Sequence, residues 1–277
     1  MSIHAVEARS PRQALAQVGK YAVLVIAAFF TLAPVVWTLI TALTPSNPET
    51  NETEFGLGAF ADVFAQIPVW LYTWNSALVT LLIAAGQMLT AAMAGYVFAR
   101  FEFRSKKVLF ALILATMMVP MQVTIVPVFM LIRGMGLADT LLALIVPMLP
   151  TAFGTFLMRQ YFMGLPPELA EAAEIDGAGP WRVFFGVYLP LAAPGLAIVG
   201  ILAFNYHWNE FFRPLILTIS EQNFTLPLGL VTLQGNLGTG SIATVLAGVV
   251  LSMIPALLVF IFGQKPLREG LTAGAGK

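Results

Sequence analysis

Six apolar stretches, each roughly twenty residues long, dominate the chain: 21–43, 75–99, 108–132, 140–159, 183–205 and 242–263. A helix rising about 1.5 Å per residue needs that length to cross the ~30 Å hydrocarbon core of a bilayer. Inside lipid the backbone must satisfy its own N–H and C=O groups, which leaves helices or a closed barrel. These runs are too long and continuous for barrel strands of about ten residues. The expected fold class is an all-α membrane protein with six transmembrane helices. Composition agrees: 58% of residues are hydrophobic, 10% are charged and the mean hydropathy is +0.85, leaving too few charges to coat a soluble surface.

Charge placement gives the spans a direction. Of the 14 basic residues, all except Arg133 and Arg213 fall in the N-terminal tail, in the alternate loops or in the C-terminal tail. If that side is cytoplasmic, the positive-inside rule is met, and both termini are expected in the cytoplasm. The expected organisation is a cytoplasmic tail over 1–20, a first span over 21–43 and an extracytoplasmic loop over 44–74. A core of five spans over 75–263 and a cytoplasmic tail over 264–277 follow. The first apolar run is too long for a signal-peptide core and reads as a retained span. Trp70, Tyr72 and Trp74 read as an interfacial belt ahead of the second span, with sugar stacking as the alternative.

Several chemistries are excluded. The formal net charge is zero, so nothing points to nucleic acid as a partner. There is no cysteine, which removes disulfides, thiolate metal sites and a cysteine nucleophile. His4 and His207 are far apart in sequence. The glycine-rich end, Gly270 to Lys277, lacks the spacing of a phosphate-cradling loop. Asn51 to Thr53 and Asn223 to Thr225 match a glycosylation pattern too short to assign a role. An ion-coupled carrier keeps ionisable groups near the bilayer midplane, and the middles of these spans hold none. Gln87, Gln122 and Asn205 are the polar side chains inside the spans or near their ends. They suit a neutral, hydroxyl-rich solute, although such amides also bind neighbouring helices. Pro120 and Pro127 are expected to kink the third span on one face.

The loop over 165–182 carries the most specific signal. Pro167 suits a first helical position, Glu168 and Glu171 suit a helix N-terminus, and Gly177 suits the left-handed residue that ends a helix. Ala170, Ala172 and Ala173 would let another protein approach closely, with Leu169 and Ile175 as apolar anchors. Glu171, Ala172, Ala173, Asp176, Gly177 and Ala178, followed by Phe184, Leu189, Pro190 and Pro194, closely resemble the EAA loop of ABC importer permeases. The resemblance covers nearly the whole chain. Asn75 and Ser76, Ala94 to Arg100, Met118 to Pro127, Trp208 to Phe211 with Pro214 and Leu215, and Gly270 to Gly274 are similar to the carbohydrate-uptake branch and its MalG type of subunit.

That resemblance implies an ABC type I importer permease fold in the inner membrane. It implies an ATPase-coupling surface at Glu168, Glu171, Ala172, Ala173, Asp176, Gly177, Trp181 and Arg182. Its implied partners are a second permease subunit, a cytoplasmic ATPase dimer holding ATP and Mg2+, an extracytoplasmic solute-binding protein and a sugar-like solute. The chain itself would carry no cofactor and no catalytic or metal-binding residue. Candidate solute-pathway residues are Gln122, Asn205, Trp208, Asn209 and Glu210, where Trp208 also reads as an interface anchor and Glu210 as a partner of Arg213. By position in relatives, Gln234, Gly235, Asn236 and Gly238 are candidates for contact with the binding protein. The competing readings are a membrane scaffold whose acidic loop binds a regulator, and a stand-alone ion-coupled carrier.

Overall fold

The computed structural model describes the backbone over residues 11–45, 55–235 and 240–275, and it contains no strand among the described residues. Among the described residues, three helices are long and apolar enough to cross a membrane unbroken: α1 (Pro11–Leu43), α3 (Val69–Arg100) and α14 (Ile242–Ala275). A short helix, α2 (Gly58–Gln66), lies inside the expected loop over 44–74. The second span starts earlier than expected, because Trp70, Tyr72 and Trp74 belong to α3 itself. Trp70 and Trp74 stay exposed, but Tyr72 is buried in the core.

The other three spans are broken rather than straight. Helices α4 (Lys106–Thr116) and α5 (Met121–Gly134) meet at 101°. The expected continuous run over 108–132 therefore does not form. Pro120 ends it, since it has no N–H to donate and disfavours helical geometry at the residue before it; Pro127 stays within α5. Helix α6 (Leu141–Ile145), extended by a 3-10 turn, meets α7 (Ala152–Met163) at 41° across Leu149 to Thr151. The fifth span follows α8 (Glu168–Ile175). It consists of α9 (Pro180–Val183), a π-helical turn and α10 (Leu189–Leu191), and then α11 (Ala193–Trp208) at 73°. Two short helices, α12 (Phe212–Leu217) and α13 (Leu226–Thr232), lead to α14.

Helix α3 is the axis, packed along α7 and α11, while α14 packs on α11 and α1. The approach of α3 to α7 depends on Gly95: a Cβ there would lie 2.7 Å from Met158 Cβ and 2.8 Å from the Arg159 backbone N. Breaks in spans need their freed carbonyls satisfied, because lipid offers no donor. At the α6–α7 break α3 supplies the donors: Gln87 Nε2 donates to Met148 O (2.9 Å), and the Thr90 hydroxyl reaches Leu149 O (2.8 Å).

Candidate functional site

Helix α8 has the caps its sequence implies. Glu168 and Glu171 sit in its first turn, and Gly177 has φ +80°. Ala178 N–H donates to Ala173 O (2.9 Å) and Gly177 N–H to Glu174 O (3.0 Å), the paired bonds of a Schellman ending that satisfies the last carbonyls. One face of α8 is turned inward. Ala170, Ala173 and Ala178 pack on a cluster that includes Tyr96, Phe162, Phe184 and Tyr188. The expectation that all the alanines would face a partner is corrected here: Ala173 and Ala170 hold the helix on its own bundle, and only Ala172 is exposed. Glu168, Glu171, Glu174, Asp176 and Gly177 all face outward, with Ile175 at 86% exposure and Trp181 at 65%. Arg182 is also exposed, and Trp181 stacks on Phe185.

At the α8 end of the bundle, two arginines to which sequence reading gave no structural role tie α3 to α7. Arg100, at the end of α3, donates through Nη2 to Phe162 O (2.7 Å) and Leu165 O (2.6 Å), and its guanidinium lies 4.7 Å from the centre of the Tyr188 ring. Arg159 of α7 donates back through Nε to Phe98 O of α3 (3.1 Å). Each helix thus closes the other's terminal carbonyls, and the segment that launches α8 is tied to the central helix. For Arg100 the available signal was a basic residue in the last turn of a helix, where orphan carbonyls attract it; Arg159 lies before the last turn of α7 and carried no such signal.

The α4–α5 and α6–α7 breaks border a cleft of about 730 Å³ lined by Gln87, Thr116, Met148, Thr151, Asn205 and His207, among others. Asn205 also lines a second groove, of about 450 Å³, between α11 and α14, together with Asn209, whose Nδ2 donates to Asn205 O (2.8 Å). The other expected pathway residues are elsewhere. Gln122 is exposed on α5 and lines neither recess. Trp208 is 2% exposed, stacked on Phe204, with its indole N–H given to Ser252 O (2.9 Å), so it is a packing element. Glu210 is buried and bonded to Arg213, the pairing read from sequence, and it also accepts from His207.

His207 joins that pair to the cleft. Gln87 Nε2 is a donor and lies 3.2 Å from His207 Nε2, which therefore accepts; Nδ1 then carries the proton it donates to Glu210 Oε2 (3.1 Å). Arg213 Nη2 donates to the same oxygen. The sequence placed no ionisable group in the middle of a span. Folding brings a buried His207, Glu210 and Arg213 cluster against the central stretch of α3. Its two full charges neutralise each other behind the cleft wall, which itself carries no Asp, Glu, Lys or Arg.

At the end opposite α8, Asp139 organises a clasp. It adopts φ +55°. Its carboxylate accepts from Ile219 N (2.8 Å), Ser220 N (2.9 Å) and the Ser220 hydroxyl (2.5 Å), while Asn223 Nδ2 donates to its carbonyl (2.7 Å). The Ser220 hydroxyl and these backbone donors hold the Asp139 carboxyl well below the usual carboxylate range. Asn75 Nδ2 donates to Gln222 O (2.8 Å) and Phe224 O (3.0 Å), and Leu226 N–H donates to Ser76 Oγ (2.7 Å). Beyond α13, Gly240 N–H donates to Gln234 O (2.8 Å), and Gly235 N–H donates to Thr232 O (3.2 Å); Asn236 and Gly238 lie outside the described residues.

Residues 87–267 match the family described as binding-protein-dependent transport system inner membrane component. The chain is 34% identical over 264 residues to the lactose transport system permease protein LacG of Rhizobium radiobacter, covering 94% of this chain and 96% of that one. It is 32% identical to the arabinooligosaccharides transport system permease protein AraQ of Halalkalibacterium halodurans, over 90% and 92% of the two chains. It is also 35% identical to the sn-glycerol-3-phosphate transport system permease protein UgpE of Pectobacterium atrosepticum, over 74% and 73%. In fold it is similar to a chain in the crystal structure of a bacterial ABC transporter involved in the import of the acidic polysaccharide alginate, with TM-score 0.81, 23% identity and coverage of 94% and 99%. A family match over most of the chain, relatives that align nearly end to end, and a shared fold lead to one conclusion: the chain belongs to the binding-protein-dependent transport system inner membrane component family and is a translocation permease subunit of an ABC importer.

Proposed function

We propose that this subunit forms half of the pathway of an importer for a neutral, sugar-like solute, with both termini and α8 in the cytoplasm. In this reading a second permease subunit completes the pathway, a binding protein delivers solute at the Asp139 end, and a cytoplasmic ATPase dimer docks on α8. Hydrolysis of ATP with Mg2+ belongs to that dimer, and this chain performs no covalent chemistry. The observation that carries the coupling role is the two-faced α8, with alanines locked inward on an aromatic cluster and carboxylates and Ile175 turned out. A load on the outer face would pass through Ala170, Ala173 and the Arg100 tie into α3 rather than dissipate in a loop.

The solute class rests on the cleft. Its wall offers amide, hydroxyl and imidazole groups and no full charge, which matches the hydrogen-bonding needs of hydroxyls. A phosphate-bearing solute would cross that wall without a counter-charge. The lactose and arabinooligosaccharide systems among the relatives support the same class.

The test uses the assembled importer in vesicles. Glu171→Lys reverses the charge of the docking face, and Gly177→Val forces a β-branched residue into left-handed geometry. Each is expected to lower ATP-driven uptake at least about tenfold, the effect of ~1.4 kcal/mol on a barrier, while the subunits still co-purify. Normal uptake by a fully assembled Glu171→Lys complex sinks the coupling role.

A further inference from the structure

A third recess lies at the same end of the bundle as α8 but on a different face. The turn after α3 and the start of α4 enclose about 580 Å³ lined by Arg104, Lys106, Lys107, Arg159, Phe110 and Glu102, among others. Lys106 is engaged by Glu102 at 2.7 Å. Arg104 and Lys107 make no hydrogen bond or ion pair among the described residues, and the Nη groups of Arg159, whose guanidinium lies 4.4 Å from the centre of the Phe110 ring, are likewise without a hydrogen-bond partner there. Glu102 is the one carboxylate among the lining residues, so four cations share a single acid and the recess keeps a net positive charge. Immediately beyond them α4 turns apolar and outward, with Val108 at 63% and Leu112 at 58% exposure. The surface thus changes from cationic to apolar along one helix.

We infer that this recess binds the headgroup of an anionic phospholipid, with Arg104, Lys107 and Arg159 around the phosphate and the acyl chains along α4. The apolar continuation selects lipid over a free anion. The convergent charge selects an anionic headgroup over a zwitterionic one, and cationic pockets between spans at the membrane surface are suited to this.

The test takes the intact importer, purified with its partner subunits in detergent and stripped of lipid. Fluorescent phosphatidylglycerol is titrated in, in parallel with phosphatidylcholine and with inorganic phosphate as competitor. Saturable phosphatidylglycerol binding is expected to weaken about fivefold for each cation removed, in Lys107→Gln and then in the double variant with Arg104→Gln. Lys107→Arg should restore it. Both side chains are exposed, so the variants are expected to assemble, which co-elution of the subunits checks. Unchanged phosphatidylglycerol affinity in the assembled double variant overturns the proposal, as does phosphatidylcholine binding equally well. Displacement by inorganic phosphate at similar concentration would assign the cations to a free anion instead. The chain has no native cysteine, so Leu112→Cys can report on what covers α4: a cross-link to another subunit overturns the proposal, and labelling by a lipid-soluble maleimide supports it.

Discussion

At the Asp139 end, polar side chains from α3 and the turn after α5 tie residues 217–226 down through hydrogen bonds to backbone. At the α8 end the arrangement is nearly the reverse. No side-chain hydrogen bond joins α8 to the bundle among the described residues, and alanine methyls rest on aromatic rings. Hydrogen bonds have preferred directions and hold one geometry, whereas apolar contact is non-directional and tolerates small rocking at little cost. A clasp that keeps its shape therefore stands opposite a lever that can move, with Arg100 and Arg159 tying the base of that lever to α3.

The contrast can be broken most severely where the lever meets the axis. Gly95→Val drives a side chain into the α7 backbone and is expected to destabilise the assembled complex by about 3 kcal/mol, the upper part of the range for overpacking, read as a lower thermal unfolding midpoint. Arg100→Gln removes a charged donor from two carbonyls and should cost about 2 kcal/mol. Its sharper signature is uncoupling, with ATP hydrolysis retained while uptake falls. Gly177→Ala puts a Cβ in left-handed geometry at a cost of about 1 kcal/mol, seen as faster amide exchange at the end of α8 while the clasp is untouched.

The smallest effect belongs to the clasp and depends on pH. Because the Asp139 carboxyl is held below its ordinary value in the folded chain, its contribution is complete above the unfolded value of about 3.9 and fades as pH falls below that. Asp139→Asn should therefore speed amide exchange over 217–223 by the same factor at pH 7 and pH 5. A difference that grew between those two pH values would mean that the carboxyl titrates there and that the clasp is looser than its hydrogen bonds indicate.

Much of this architecture was legible in the chain. Helix α8 and its ends could be read because capping is local: Pro167, Glu168 and Gly177 act on their own backbone within a few residues. The broken spans were less legible. Hydropathy measures what a segment tolerates as solvent, and it is blind to Pro120 ending a helix inside an apolar run. The link from the Glu210 and Arg213 pair through His207 to Gln87 was missed for a different reason. Gln87 and His207 lie 120 residues apart, and only the packing of α11 on α3 joins them.

The sequence by itself determined that the chain spans a membrane, which end of α8 stops and why, and which family it resembles. These follow from composition, local capping and ordered motifs, none of which needs a distant partner. Tertiary structure decided that Ala173 faces inward while Glu171 faces out, and that Trp208 packs rather than lines a path. It also set the Glu210 and Arg213 pair, through His207, against Gln87 behind a neutral wall. Those outcomes depend on which helix faces lie against one another, a property of the fold that periodicity along a single helix does not contain.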